Sequence, residues 1–180
     1  MNEKAIVMDE QAIDRALSRI SYEIIERNKG VENLVVIGIQ RRGVTIAKRV
    51  AAKIREAEGV SVPIGTVDIT LYRDDISQLS RHPVINGTDI SFSIEDKIVV
   101  LVDDVLFTGR TTRAALDAIM EFGRPRSVQL AVLVDRGHRE LPIAADYRGK
   151  NLPTSSSEVV DVLVTEFDGQ NKVIISEAVG

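Results

Sequence analysis

Two adjacent carboxylates, Asp103 and Asp104, follow the apolar run Val99-Val100-Leu101-Val102, and after Val105-Leu106-Phe107 comes the turn Thr108-Gly109-Arg110-Thr111-Thr112. Acidic groups at the end of a buried strand cost free energy unless they are paired, hydrated or bound to something. A side-by-side pair can accept hydrogen bonds from vicinal ribose hydroxyls, or hold Mg²⁺ through water. A Thr/Gly turn that opens a helix offers backbone N–H groups, hydroxyls and the positive end of the helix dipole, which together cradle a phosphate. Ribose hydroxyls and a 5′-phosphate are close together in one sugar phosphate, so residues 99–112 can hold both. Taken singly, the threonines read equally well as helix caps and the aspartates as solvated strand-end groups. Their order is what points to a ligand. It is not the Walker loop, because no Gly-Lys-Ser/Thr is present.

Three further segments carry groups suited to a ligand rim. Gln40-Arg41-Arg42-Gly43 follows the apolar run 34–39, and its amides and guanidinium groups suit pyrophosphate. Tyr72 and Arg73 open a polar stretch, residues 73–92, that contains Arg81, Pro83 and Gly87. A loop of that length in a compact domain is usually functional or mobile. Asp135-Arg136-Gly137-His138-Arg139-Glu140-Leu141-Pro142 is a dense charged loop after a third apolar run. His138 is a poor metal-ligand candidate, since the one other histidine is His82 in the long loop.

The elements that must position these groups follow from periodicity. Asp9 can cap a helix over residues 10–29, with Ile13, Leu17, Ile20 and Ile24 on one face and Gly30 as its stop. Residues 34–39, 97–103 and 127–134 read as buried strands, and residues 62–72 as a longer, irregular one. Helices are expected from about 44 to 59 and over 111–122. Residues 159–167 and 172–176 read as strands joined by an Asp168-Gly169-Gln170-Asn171 hairpin turn. Continuous apolar strands alternating with amphipathic helices predict an α/β fold with a mainly parallel sheet covered on both faces. Ligands in such folds bind beyond the carboxyl ends of the strands. Residues 40–43, 103–112 and 135–142 should therefore line one rim.

Composition narrows the functions. The 180 residues suit one domain, taken here as residues 1–180. Aromatics are only 4% and Trp is absent, which disfavours a base-stacking single-strand binder. With no cysteine there is no disulfide framework and no thiolate site, a composition that fits a reducing cytoplasm. The first ten residues hold no long apolar run, so no signal peptide is expected, and no stretch is long enough for a membrane span. The net charge of −4 means that any RNA must be met by a local basic patch.

The order of residues 99–112 resembles the signature of type I phosphoribosyltransferases for 5-phosphoribosyl-1-pyrophosphate (PRPP). In full, DEQAIDRAL, TLYRDD, LVDDVLFTGRT and VDRGHRELP together resemble the PyrR family of pyrimidine operon attenuation regulators over essentially the whole chain. That resemblance implies a type I phosphoribosyltransferase fold with a small hood from about residues 145–180 and a flexible loop over about 73–92. It implies that Asp103 and Asp104 meet the ribose hydroxyls, that Thr108, Gly109, Arg110, Thr111 and Thr112 wrap the 5′-phosphate, and that Val105, Leu106 and Phe107 are among the substrate-binding residues, with Phe107 an apolar surface beside the base. Gln40, Arg41, Arg42, Gly43, Tyr72, Arg73 and Arg81 fall to the pyrophosphate end, with Tyr72 and Arg73 counted beside the aspartates as catalytic.

Uracil, pyrophosphate and UMP are the implied partners, with Mg²⁺ entering on PRPP. Arg136 and the backbone around Val160 fall near the base. In the family's 6-oxopurine enzymes the position of Phe107 typically holds an Asp that manages a purine proton, which Phe107 cannot do. Dedicated uracil enzymes carry a Pro-containing phosphate segment that is absent here. The regulatory role implies binding of an mRNA leader stem-loop, with Arg15, Arg19, Arg27, Arg41, His138, Arg139 and Lys150 as the basic surface, and a homodimer or larger assembly. A transferase for another base and a non-catalytic regulator on the same fold stay open on sequence grounds.

Overall fold

The computed structural model describes residues 2–73 and 87–178; Arg81 lies outside the described residues. In chain order the elements are β1 (Asn2–Met8), α1 (Glu10–Arg27), β2 (Leu34–Ile39), α2 (Arg42–Glu58), β3 (Ile64–Val67), β4 (Ile98–Leu106), α3 (Arg110–Met120), β5 (Ser127–Asp135), β6 (Tyr147–Asn151), β7 (Glu158–Leu163), α4 (Thr165–Asp168) and β8 (Lys172–Glu177). Five strands form a parallel sheet in the order β3-β2-β4-β5-β6. Three form a small antiparallel sheet in the order β1-β8-β7.

Alternation along the central strands assigns the two faces. Val36, Val100, Val102, Ala131 and Leu133 pack with Leu17, Ile20 and Ile24 of α1 and Ile46, Val50 and Ile54 of α2. Val35, Ile37, Val99, Leu101, Leu130 and Val132 pack with Ala115, Ala118 and Ile119 of α3 on the other face. A strand buried on both faces must be apolar throughout, as Leu-Val-Val-Ile-Gly-Ile of β2 is. Asp9 caps α1, its carboxylate accepting from the Ala12 N–H at 2.8 Å. Met8, Val160, Val162, Val164, Val173 and Ile175 join the first cluster, so the small sheet shares the core beneath α1 and α2.

Several elements depart from expectation. Strand β4 runs on through Leu106, because β5 extends to Asp135 and pairs Val105 with Val134 and Leu106 with Asp135. The irregular strand expected over 62–72 shrinks to β3, since Pro63 lacks an N–H and the chain turns at 69–72, where Tyr72 N–H donates to Ile69 O. The turn after β7 winds into α4 before β8 begins. Two strands are unexpected: β6, which has no apolar run, pairs parallel with β5 and so belongs to the main sheet, and β1, whose short apolar run ends at Met8, joins the small sheet instead.

Candidate functional site

The carboxyl ends of β2, β4 and β5 bring the three charged segments to one rim. A cleft of about 310 Å³ there is lined by Gln40, Arg41, Arg42, Asp68, Thr70, Arg73, Asp103, Asp104 and Thr111, among others. β2 pairs with β4 only as far as Val102. Beyond that point one edge of β4 is open toward the cleft, and Asp103 and Asp104 lie on this stretch.

Asp103 is 7% exposed, and its Oδ1 accepts from the Asp104 N–H at 2.9 Å. Burial, then the neighbouring charge of Asp104, pushes its carboxyl well above the ordinary range. No basic side chain offsets it with an ion pair among the described residues. Asp104 Oδ1 accepts from the Val105 N–H at 2.8 Å, which leaves most of its acceptor capacity for a ligand.

The turn after β4 has a shape and exposed N–H groups of the kind that suit an anion. Gly109 has φ +94°, which L side chains rarely adopt, and it stands just before α3. Thr108 Oγ1 accepts from the Arg110 N–H, and Thr108 O accepts from the Glu140 and Leu141 N–H groups. The 135–142 loop thus seats on the turn from behind, while the first-turn N–H groups of α3 have no partner within the helix. Arg110 pairs with Glu140 at 3.1 Å.

On the β2 side, Gly43 rests directly on β4. A Cβ built there would lie 2.7 Å from Val102 O and 3.1 Å from the Asp103 Cα. That contact fixes the start of α2, and with it Arg41 and Arg42, against the acidic pair. The Gln40–Arg41 peptide is cis, and Gln40 Nε2 donates to Gly87 O at 3.0 Å. Arg42 donates to both oxygens of Asp168, from Nη2 to Oδ1 at 2.8 Å and from Nε to Oδ2 at 3.3 Å. The Arg41 guanidinium lies over the Phe167 ring at 4.2 Å.

On the β5 side, Arg136 is buried, with its guanidinium 4.0 Å from the Phe107 ring centroid. It donates to Thr154 Oγ1 and to the carbonyls of Ser155 and Glu158, the last at 2.7 Å, so it ties the start of β7 to the rim. Burial lowers its pKa from the usual arginine range. β7 is an edge strand, and Val160 on it is buried. Phe107, Arg136 and the start of β7 are thereby adjacent, an aromatic ring beside the backbone of an edge strand. A planar base with alternating donors and acceptors suits such a wall.

The expected residues do not all meet in the cleft. Tyr72 does not line the cleft; its hydroxyl hydrogen-bonds to Glu121, which raises its pKa, and its ring packs on the α3 side of the sheet. The apolar neighbours Ile69 and Ile90 on that face favour the inward ring. The basic residues also divide. Arg139 is consumed at the rim: it chelates Asp135 at 2.8 Å to each oxygen and donates to Phe107 O and Ile143 O. Burial alone would raise Asp135, but Arg139 and the Gly137 N–H bring it below its ordinary value. His138 donates from Nε2 to Thr154 O at 2.6 Å and meets Phe107 edge-on. Arg41 is at the rim as well. Arg15, Arg19, Arg27 and Lys150 are exposed on a separate flank, where α1 crosses β6: Arg19 donates to Arg148 O and Gly149 O, and Arg27 pairs with Asp146.

Sequence reasoning missed Asp68, whose Oδ1 accepts from Thr70 in the cleft wall, and the Phe167-Asp168 pair. Both have local turn explanations, and only the tertiary fold brings them to the rim.

A family model described as the phosphoribosyl transferase domain matches residues 5–166. A "Bifunctional protein PyrR" of Acetivibrio thermocellus is 66% identical over 177 residues, covering 98% of this chain and 96% of that protein. The chain belongs to the PyrR family. The PyrR relative of Clostridioides difficile is 62% identical, with 98% of this chain and 100% of that protein covered. The solved hypoxanthine phosphoribosyltransferase of Trypanosoma cruzi superposes with a TM-score of 0.74 at 19% identity, covering 97% of each chain. At that identity the likeness concerns the fold, which in this PyrR chain is that of a type I phosphoribosyltransferase.

Proposed function

We propose that this chain transfers the 5-phosphoribosyl group of PRPP to uracil, releasing pyrophosphate, and that with UMP bound it holds a stem-loop in the mRNA leader of pyrimidine genes to favour termination. The observation that carries the reading is the open edge of β4, where a buried, unneutralised Asp103 and the adjacent Asp104 stand next to the Thr108–Thr112 turn. Membership of the bifunctional PyrR family supports both halves.

In this reading uracil N1 bonds to the ribose C1 as the bond from C1 to the pyrophosphate oxygen breaks. Asp103 and Asp104 fix the ribose through its hydroxyls, and Thr108, Gly109, Arg110, Thr111 and Thr112 hold the 5′-phosphate. Arg41, Arg42 and Arg73 receive the pyrophosphate, and Phe107, Arg136 and the β7 edge near Val160 receive the base. The chain contributes position and electrostatics rather than a covalent nucleophile. Mg²⁺ fits this site: Asp103 and Asp104 offer adjacent carboxylates in the cleft, and carboxylates beside a diphosphate are a usual setting for that ion. Its chemistry when bound is to neutralise charge on the pyrophosphate.

No described helix is long and apolar enough to cross a membrane, and the RNA and nucleotide partners agree with a cytoplasmic setting. Assembly as a homodimer or larger is part of the proposal and is read by light scattering. The deciding experiment supplies labelled uracil, PRPP and Mg²⁺, with hypoxanthine and guanine as competitors, beside leader-RNA binding with and without UMP. UMP formation, little purine competition and tighter RNA binding with UMP are expected. PRPP binding without any UMP formed would leave only the regulator.

A further inference from the structure

We infer that Asp168, a residue outside the cleft, is the positioning residue that sets Arg42 for the pyrophosphate of the activated sugar. The inference rests on the transferase reading above and extends it to α4.

Helix α4 is only four residues long, yet two of its side chains engage the Arg41-Arg42 segment. Phe167 is 43% exposed and supports Arg41 from below. Asp168 is fixed before it meets its partner: Oδ2 also accepts from the Val164 N–H at 2.9 Å, and Gly169, at φ +71°, ends the helix immediately after it. Arg42 is fixed from its own side, because the neighbouring Gly43 rests on the β4 backbone. A two-point contact between two anchored groups defines the plane and direction of the guanidinium, not just its distance.

That direction matters for an anion. The fork uses Nε and Nη2 of Arg42, which leaves Nη1 for a second acceptor. Arg42 lines the cleft together with Asp103 and Asp104, and its guanidinium feels the charges of Asp104 and Asp161. Without Asp168 the arginine is drawn toward Asp104, across the place reserved for the ribose. The Asp168 carboxylate therefore orients Arg42 and also keeps it off the acidic pair. A mere staple for α4 would need neither the second oxygen nor an arginine of the cleft.

The test uses the full chain with Asp168→Asn, which retains an acceptor for the Val164 N–H, together with Arg42→Ala and the double variant. Initial rates are measured against PRPP and uracil separately, with pyrophosphate as product inhibitor, and PRPP binding is titrated calorimetrically. Losing one partner of a charge-assisted pair should raise the KM for PRPP and the inhibition constant for pyrophosphate about tenfold, leaving the KM for uracil within about twofold. Arg42→Ala should show the same rise, and adding Asp168→Asn to it should change nothing more. An unchanged uracil constant reports an intact site, a result that misfolding would not give. Parental PRPP and pyrophosphate constants in Asp168→Asn, or full additivity with Arg42→Ala, would overturn the inference. If the parent forms no UMP, the transferase reading fails by itself. The calorimetric titration still judges Asp168, since equal PRPP affinity in the parent and Asp168→Asn rejects its role.

Discussion

Asp103 is held in a state that disfavours its own ionisation. A carboxyl whose pKa is raised by folding binds its proton more tightly in the native chain than in the unfolded one. Between the two pKa values the native state carries more protons, so stability falls as pH rises through that window, and the loss is complete above the folded value. The ligand-free protein at neutral pH therefore carries a cost that bound ribose hydroxyls or a cation relieve. Asp103→Asn keeps the acceptor for the Asp104 N–H and removes the charge. Its melting temperature at pH 7 should rise by about 3 °C for each ~1 kcal/mol relieved, while UMP synthesis is lost. Scanning calorimetry from pH 5 to 8 reads the first effect: the gap between variant and parent should shrink toward acid, and a gap that is constant or widens there contradicts the account. Arginines at this scale divide by what they touch. Arg139 is a structural stitch whose N–H groups meet protein acceptors, Arg136 is bonded to protein acceptors and also lies on the Phe107 ring where the base is proposed, and Arg42 is shared between a protein anchor and the cleft.

Between elements, the decisive contact is the approach of α2 to β4 at Gly43. Any side chain there meets backbone, which has no rotamer to yield. Gly43→Ala should destabilise the chain by about 1–3 kcal/mol and weaken PRPP binding, because α2 must back away and take Arg41 and Arg42 with it. Denaturant unfolding and PRPP titration check both, and a variant with parental stability and affinity would show that the elements can separate freely. The same scale explains what the sequence disclosed. Strands β2, β4 and β5 are buried on both faces, so their apolar runs announce them, and the groups at their carboxyl ends could be assigned to one rim. The extension of β4 past Asp103 could not, since it depends on β5 continuing opposite. β6, Tyr-Arg-Gly-Lys-Asn, is a strand because β5 and α1 receive it: Gly149 lets its backbone approach Leu133, with a built Cβ only 2.5 Å from Leu133 O. β1, Asn-Glu-Lys-Ala-Ile-Val-Met, is mostly exposed and finds its partner β8 at the far end of the chain. The place of Tyr72 was not legible, because adjacency to Arg73 says nothing about which sheet face the ring takes.

Across the whole molecule, two guanidinium groups tie the small sheet to the main one from opposite sides of the cleft: Arg136 to the carbonyl of Glu158 and Arg42 to Asp168. Both occupied ends of the sugar substrate would therefore act on one body, the β1-β8-β7 sheet. The flank formed by α1 and β6 is remote from these stitches and carries the other proposed activity. There α1 runs antiparallel to β6, with Arg27 beside Asp146 and Arg19 at the carbonyls of Arg148 and Gly149, so Arg15 falls further along toward Lys150. Arg15 is exposed on that flank and, among the described residues, donates to no backbone carbonyl as Arg19 does. It is the better probe of RNA contact, because removing Arg19 also disturbs the β6 backbone. Arg15→Ala should weaken leader-RNA binding and lower the slope of log affinity against log salt by about 1, the signature of one lost phosphate contact. UMP formation should stay parental, since the flank shares no residue with the cleft. A slope equal to the parent's across a salt series would remove Arg15 from the RNA surface. A parallel fall in UMP formation would mean that the α1–β6 flank and the rim act as one unit.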